Sequence, residues 1–431
     1  MTRFSIRALG AFLAPLALAA ALPVCAAAQT IAVTNGRVIT NGDAGVIESG
    51  TVLIRDGVIA EVGAQVRIPS GARVIDAEGG WITPGLFHPQ TELGLVEVSA
   101  ESGARDNAAS GSSFTASMDV ADAFNPAGNH IASARVKGVT RFAVHPAVGS
   151  AIIAGRGALA DASGDPDSLF ADRQFMLVDL SVSGARTAGG ARSAAWAFLR
   201  AAIEDARFYP GRFMAHHEGD AINRFDAAAM VDVARGAMPL IMRMDRASDI
   251  RRAIQFADRY PNIRLIIVGG AEAHLMADEI ADAGIPVILD PMRNLPESFD
   301  TLAASNRAAA TLHAAGVQLA YTTLGSDLYW NPRLLRQHAG IAVAHGASWD
   351  DAFRAVTLTP AEIYGVADRF GSLEPGKAAD VVVWDGDPLE VLSAPTAVLI
   401  DGEVTSLETR QTRLRDRYAV IRREGEHGYA H

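Results

Sequence analysis

The chain of 431 residues has one cysteine, Cys25, and two lysines, Lys137 and Lys377. A single thiol excludes a disulfide framework and a thiolate metal site, and loss of Cys25 with a leader would also exclude a cysteine nucleophile. With so few lysines, cationic chemistry falls to arginine and histidine. Positive charge is not in excess either: the formal net charge is −11, the wrong sign for a protein that grips a phosphate backbone. The apolar run Ala11 to Leu22 falls short of the roughly 20 residues a bilayer span needs. No Walker loop, dinucleotide fingerprint or nucleophile elbow occurs in a supporting context, and GARTAGG from Gly184 reads as a flexible loop.

What is present is globular. Apolar residues make up 49% of the chain and charged residues 20%, which excludes a disordered tail, a disulfide miniprotein and a collagen-like chain. This length suits one large α/β barrel with an appendage, or two to three ordinary domains. Residues 1–28 have the order of a secretory leader: Arg3 and Arg7, the apolar run, then Ala26, Ala27 and Ala28. Cleavage is expected before Gln29, with a periplasmic or secreted destination and no membrane association afterwards. Lipidation at Cys25 is the minor alternative, because Val24 is bulkier than the small residue that usually precedes a lipidated cysteine.

From Ile31 to Thr83 the chain is strand-like, with Asn35-Gly36 and Asp56-Gly57 as hairpin signals. After Ile82, short apolar runs alternate with alanine-rich helical stretches, the pattern of a parallel sheet wrapped by helices. Strands are expected at 82–87, 139–144, 175–180, 239–244, 264–268, 285–289 and 317–322. Together they predict a (β/α)₈ barrel with one strand obscured. Helices are expected at 191–209, 226–235, 248–259 and 350–364. The segment 99–117, rich in Gly, Ser and Ala, would lie at the barrel mouth as a mobile lid. Strand signals return in ADVVVWDGD and AVLIDGEV, so terminal pieces at 29–83 and 365–407 are expected to pair into one small β-sandwich beside a barrel spanning 84–364. The tail, 408–431, carries Leu414, Tyr418 and Ile421 at helical spacing and predicts a helix docked by one apolar stripe.

Two stretches, VIDAEGGWITPGLFHPQTELG from Val74 and TPAEIYGVADRFGSLEPGKAADVVVWDGDP from Thr359, resemble the amidohydrolase superfamily, especially its dihydroorotase-like and imidazolonepropionase-like members. The resemblance implies the same barrel and flanking sandwich. It also implies one or two divalent metals, zinc or similar, held at the strand ends by a His-x-His pair, sometimes a carboxylated lysine, two further histidines and an aspartate. Zinc held by imidazoles and carboxylates lowers the pKa of its bound water to about 7 and so supplies hydroxide.

Here the first-strand motif departs from the family. Where relatives read approximately LIDAHTHLG, this chain reads LFHPQTELG, so Gln90 and Glu92 stand in the two histidine positions. His88 lies two residues early, a shift that keeps its face of a regular strand and lowers it by about 6.8 Å. Further along, Arg243 and Asp245 occupy the region of a histidine ligand, and a guanidinium has no lone pair to offer a metal. Two glycines, Gly269 and Gly270, replace another ligand, with His274 beyond them. The last-strand aspartate position falls on Leu324, with Asp327 three residues later. Neither Lys137 nor Lys377 is placed to bridge two metals. The spacing therefore predicts no binuclear centre, and leaves open whether a single metal binds.

Glu92, Arg243, Asp245 and His88 are the catalytic candidates, with Arg243 expected to bridge the two carboxylates in place of the metal cation. Gln90, His145 and Asp327 are the substrate-binding candidates, and His216, His217 and Glu218 read as a solvent loop. The resemblance implies an exported hydrolase of carbon–nitrogen, non-peptide bonds in a small cyclic amide or acyl-amino compound. The alternative is a degenerate barrel that binds a small molecule or assembles with an intact paralogue. A third possibility, carboxylate catalysis on peptides or carbohydrates, has only scattered Asp and Glu behind it.

Overall fold

The computed structural model describes residues 30–214 and 219–419. The leader with Cys25, the cluster His216, His217 and Glu218, and Ile421 lie outside the described residues. The chain opens with β1 (Thr30–Ile39), β2 (Val46–Arg55), β3 (Val58–Gly63), β4 (Arg73–Asp76) and β5 (Trp81–Pro84). Asp56 and Gly57 both adopt positive φ, +51° and +80°, the backbone a two-residue hairpin turn requires. The barrel follows as β6 (Leu86–Thr91), α1 (Asn129–Arg135), β7 (Val139–Val144), β8 (Ile153–Asp161), β9 (Leu169–Asp179), α2 (Val182–Thr187), α3 (Arg192–Arg207), α4 (Arg224–Arg235) and β10 (Leu240–Met244). It continues through α5 (Ala247–Arg259), β11 (Leu265–Gly269), α6 (Ala277–Asp282), β12 (Val287–Leu289), α7 (Ala308–Ala314), β13 (Leu319–Tyr321), α8 (Leu335–Ala344), α9 (Trp349–Arg354) and α10 (Leu358–Ile363). Last come β14 (Val381–Trp384), β15 (Pro395–Ile400), β16 (Glu403–Val404) and α11 (Arg410–Ala419).

The barrel sheet has eight strands in the order β13 to β6, the number that the (β/α)₈ expectation calls for. Its obscured strand is β8, which runs antiparallel to both β7 and β9. The sheet nearly closes, Thr322 Oγ1 donating to the Gln90 carbonyl at 3.3 Å. Alternate residues of each strand serve two cores. Leu240, Met242 and Met244 pack outward against helices, whereas Ile241, with Ala143, Leu177, Ile266, Ile288 and Ala320, fills the barrel interior. Tyr364 plugs the interior, stacked on Phe87 at 6.1 Å, and its hydroxyl donates to the Pro89 carbonyl at 2.5 Å.

The terminal segments form the second eight-stranded sheet, in which β14 from the C-terminal piece pairs antiparallel with β5. This sheet folds back on itself, Ile59 N–H donating to the Lys377 carbonyl at 2.9 Å and Ala379 N–H to that of Gly57 at 2.8 Å. It thereby encloses its own core of Ile31, Val33, Ile54, Val381 and Leu399. Arg141 of β7 joins the two bodies. Its guanidinium, 2% exposed, meets Asp380 at 2.6 Å, Asp401 at 2.6 Å and Asp161 at 3.6 Å.

Some elements differ from expectation. The strand expected at 82–87 is two strands, β5 in the terminal sheet and β6 in the barrel. The helix expected at 350–364 is broken between α9 and α10, where Thr357 leaves helical geometry at φ −135° and ψ −82°. No residue of α11 is fully buried: Leu414 is half-buried and Tyr418 is 56% exposed. Segment 99–117 is not a free lid. Thr115 and Ser117 backbone N–H groups donate to the Asp226 carboxylate at 3.1 and 2.8 Å, and Ser150 Oγ donates to the Ser112 carbonyl at 2.6 Å.

Candidate active site

The mouth of the barrel is built from the C-terminal ends of β6, β7, β10 and β11. The register of β6 against β7 pairs His88 with Phe142 and then Thr91 with Val144, so one extra residue is inserted between them. That bulge reverses the facing of the strand. Phe142 packs in the outward core, and His88 beside it faces outward too. Past the bulge, Gln90 and Glu92 turn toward the interior. The expectation that His88 keeps the face of the two substituted positions is thus corrected.

Both ring nitrogens of His88 are occupied. Gln90 N–H approaches Nδ1 at 3.4 Å, so Nε2 donates to Thr323 Oγ1 at 3.1 Å, and Thr323 donates in turn to the Asp327 carbonyl at 3.1 Å. Burial, with His338 and His145 nearby, pushes the imidazole down to about 3. His88 ties the first strand to the last rather than presenting a reactive nitrogen. Asp327 sits in the turn after β13 with Oδ1 accepting from Asn331 Nδ2 at 2.8 Å, and it organises the rim instead of joining the interior cluster.

His145 follows Ala143 by two residues and shares its interior face. Its Nδ1–H donates to the Pro146 carbonyl at 2.9 Å, which leaves Nε2 with a lone pair. Nε2 is buried and, among the described residues, has no partner. Burial outweighs the Pro146 bond and, with the Arg243 cation nearby, holds this imidazole near 4, hence neutral at physiological pH. On the neighbouring strand Gln90 Oε1 is likewise buried and unpartnered.

Glu92 is 6% exposed. Its backbone N–H donates to the Leu328 carbonyl at 3.0 Å, and Asn107 Nδ2 donates to Oε2 at 2.7 Å. Desolvation raises its pKa and outweighs the opposing effects of Asn107, Arg243 and Arg105. Arg243 lies two residues beyond Ile241 and shares its inward face, as does Asp245. Desolvation also raises Asp245, against the pull of Arg293 and Arg243. Gly269 makes room for that carboxylate: a Cβ there would stand 2.7 Å from Asp245 Oδ1.

The expected bridge is corrected here. Among the described residues Arg243 forms no ion pair with Glu92 or Asp245; it acts on both from longer range. Glu92 is held by Asn107, and Asp245 by Ala271 N–H at 3.4 Å. Sequence reasoning missed Asn107, a polar residue within the small-residue segment 99–117. It also missed the pair of His338 Nδ1 and Asp290 Oδ1 at 2.7 Å.

The donor set does not fit the family's metal. Among the described residues no three His, Cys, Asp or Glu side chains converge on a point where an ion could sit. Among the described residues the interior instead offers two acceptors without donors, two carboxyl groups whose pKa burial raises, and a guanidinium.

Comparisons with known proteins agree with this architecture. The amidohydrolase family model matches residues 178–407. The chain is 27% identical over 383 residues to an imidazolonepropionase of Acidiphilium cryptum, a match that covers 81% of this chain and 90% of that protein. It is 42% identical over 76 residues to amidohydrolase tasK of Hapsidospora irregularis, covering 17% of this chain and 8% of that longer protein. Among solved structures, an amidohydrolase from Thermotoga maritima superposes with a TM-score of 0.78 at 25% identity, over 87% of this chain and 99% of that one. A model match across more than half the sequence, on a barrel of this topology, places the chain in the amidohydrolase family.

Proposed function

We propose that this protein hydrolyses a carbon–nitrogen bond in a small cyclic amide or acyl-amino compound, and does so without a metal. The observation that carries the reading is the pair of buried acceptors on adjacent strands, His145 Nε2 and Gln90 Oε1, left without donors among the described residues. Buried polar atoms are nearly always satisfied, so the pair calls for a ligand N–H or a water. The Arg243 guanidinium is the complementary donor for a carbonyl oxygen. Together these groups match the N–H and C=O of an amide.

In this mechanism neutral His145 accepts a proton from water through Nε2 as oxygen attacks the carbonyl carbon. Arg243 stabilises the developing oxyanion. Glu92, kept prone to protonation by burial, delivers a proton to the departing nitrogen as the C–N bond breaks. Asn107 orients that carboxyl group, and Asp245, two residues beyond Arg243 at the end of the same strand, balances the cation. The family's use of zinc supports the reaction class by analogy alone.

The test is hydrolysis of a panel of cyclic amides, cyclic imides and N-acyl amino compounds by chelator-treated protein. Turnover that persists after chelation and falls about 10²-fold or more in His145→Gln supports the proposal. Turnover that requires added Zn²⁺ contradicts it.

The absence of a three-donor cluster among the described residues favours one second reading, a binding barrel that pairs with an intact paralogue. There the isolated chain binds the amide without turning it over, and activity emerges only on mixing with the partner. Export forms part of the proposal: the mature protein is expected to start at Gln29, which N-terminal sequencing of the secreted form would read directly.

A further inference from the structure

On the outer face of the barrel, helices α3 and α5 run side by side and leave a groove of about 510 Å³ between them. Arg192, Arg200, Arg246, Arg252 and Arg259 line it, with Asp249 as the one lining acid. Asp249 is already committed, accepting from Arg192 Nε at 2.9 Å and Arg246 Nη2 at 3.1 Å. Arg192 also bonds Asp300. The other three have no carboxylate partner among the described residues. Arg252 donates to Gln255 at 2.7 Å, Arg259 stands over the Tyr260 ring, and Arg200, Arg252 and Arg259 are all exposed. Nearby Glu204 is engaged with Arg207 and Tyr260.

The floor is rigid. Trp196 and Phe256, 7% and 4% exposed, pack with ring centroids 5.8 Å apart. Arg252 and Arg259 are two helical turns apart on one face of α5, so the cations form a row along the groove. In a chain of net charge −11, such a row of guanidinium groups against one neutralised carboxylate is a local reversal of sign. Like charges held together repel, and an anion lying between them removes that repulsion. A guanidinium fork meets tetrahedral phosphoryl oxygens in two parallel hydrogen bonds. The volume also lies within the range of small-molecule sites, about 300–1,000 Å³.

We infer that the groove between α3 and α5 binds a phosphoryl-bearing anion of several charges through Arg200, Arg252 and Arg259. Two sources share that chemistry, a soluble oligophosphate and the head groups of an anionic lipid surface. The experiment takes the full chain and the double variant Arg252→Gln/Arg259→Gln, whose positions are exposed, so its thermal midpoint is expected to match that of the unaltered protein. Tripolyphosphate is titrated calorimetrically, and vesicles of phosphatidylglycerol are compared with phosphatidylcholine by co-sedimentation. Saturable binding of either probe, weakened about tenfold or more in the double variant and by added salt, supports the inference. The probe that binds identifies the source. Binding of neither probe, or equal binding by the double variant, overturns it. Because amide turnover is not read in these assays, the result stands apart from the reaction proposed for the barrel mouth.

Discussion

Glu92 carries the sharpest conflict between stability and chemistry. Burial disfavours its charged form and Asn107 only partly offsets this, so Glu92→Gln removes a desolvation cost while keeping an oxygen for Asn107. The variant is expected to unfold at a higher temperature and to lose turnover, checked by calorimetry and an amide assay on one preparation. The histidines set a pH dependence. His145 and His88 are held at about 4 and about 3 in the fold, against an ordinary 6.5. The unfolded chain therefore takes up protons that the fold refuses. Their stabilising contribution is complete above pH 6.5 and is lost as pH falls through 4 and then 3, on the order of 3 kcal/mol or more for each. The buried carboxyl groups act with the opposite sign, so the difference between wild type and His145→Gln isolates one imidazole. A flat difference in urea midpoint from pH 7 to 4 would contradict the assignment. These environments were only partly legible in the sequence: LFHPQTELG exposed the substitutions, but the face each residue takes depends on a backbone bulge that no residue type announces.

Short apolar runs bounded by turns made most of the barrel strands readable. β8 escaped because Gly155, Gly157, Ala154, Ala158 and Ala160 carry little β-propensity. The structure supplies the reason for one glycine, since a Cβ at Gly157 would lie 2.1 Å from the Phe175 ring. A side chain from the next strand fills the space, so the strand is specified by its neighbour. Segment 99–117 hides its anchor for a similar reason: its small residues leave room for backbone N–H groups to converge on Asp226, an anchor 109 residues away in sequence from Ser117. Asp226→Ala is expected to release residues 112–117, seen as faster amide exchange and new proteolytic cleavage there, with a stability loss of about 1–3 kcal/mol. Unchanged exchange in that segment would mean other contacts hold it.

The terminal sheet keeps one core to itself, with Ile31, Val33 and Leu399, but its Val382, Trp384, Val398 and Ile400 pack into the outer core of the barrel, and Arg141 is the polar part of that joint. It stands over Phe370 at 4.2 Å while pairing with carboxylates of both bodies. Arg141→Met leaves Asp380 and Asp161 buried without their cation, and a loss of about 3–5 kcal/mol is expected. Calorimetry is expected to read that loss as a lower unfolding midpoint, and an unchanged midpoint would mean that the apolar contacts alone hold the joint. The matched C-terminal motif foretold that both ends of the chain share one sheet, whereas this joint could not be read, because Arg141 and Asp380 are 239 residues apart. Among the described residues, the mouth of this barrel presents unsatisfied acceptors and a guanidinium where its family presents a metal centre. Elemental analysis of the processed, purified protein decides between the two: divalent metal far below one ion per chain is expected, whereas one or two retained ions that are lost in Glu92→Gln would restore the metal centre.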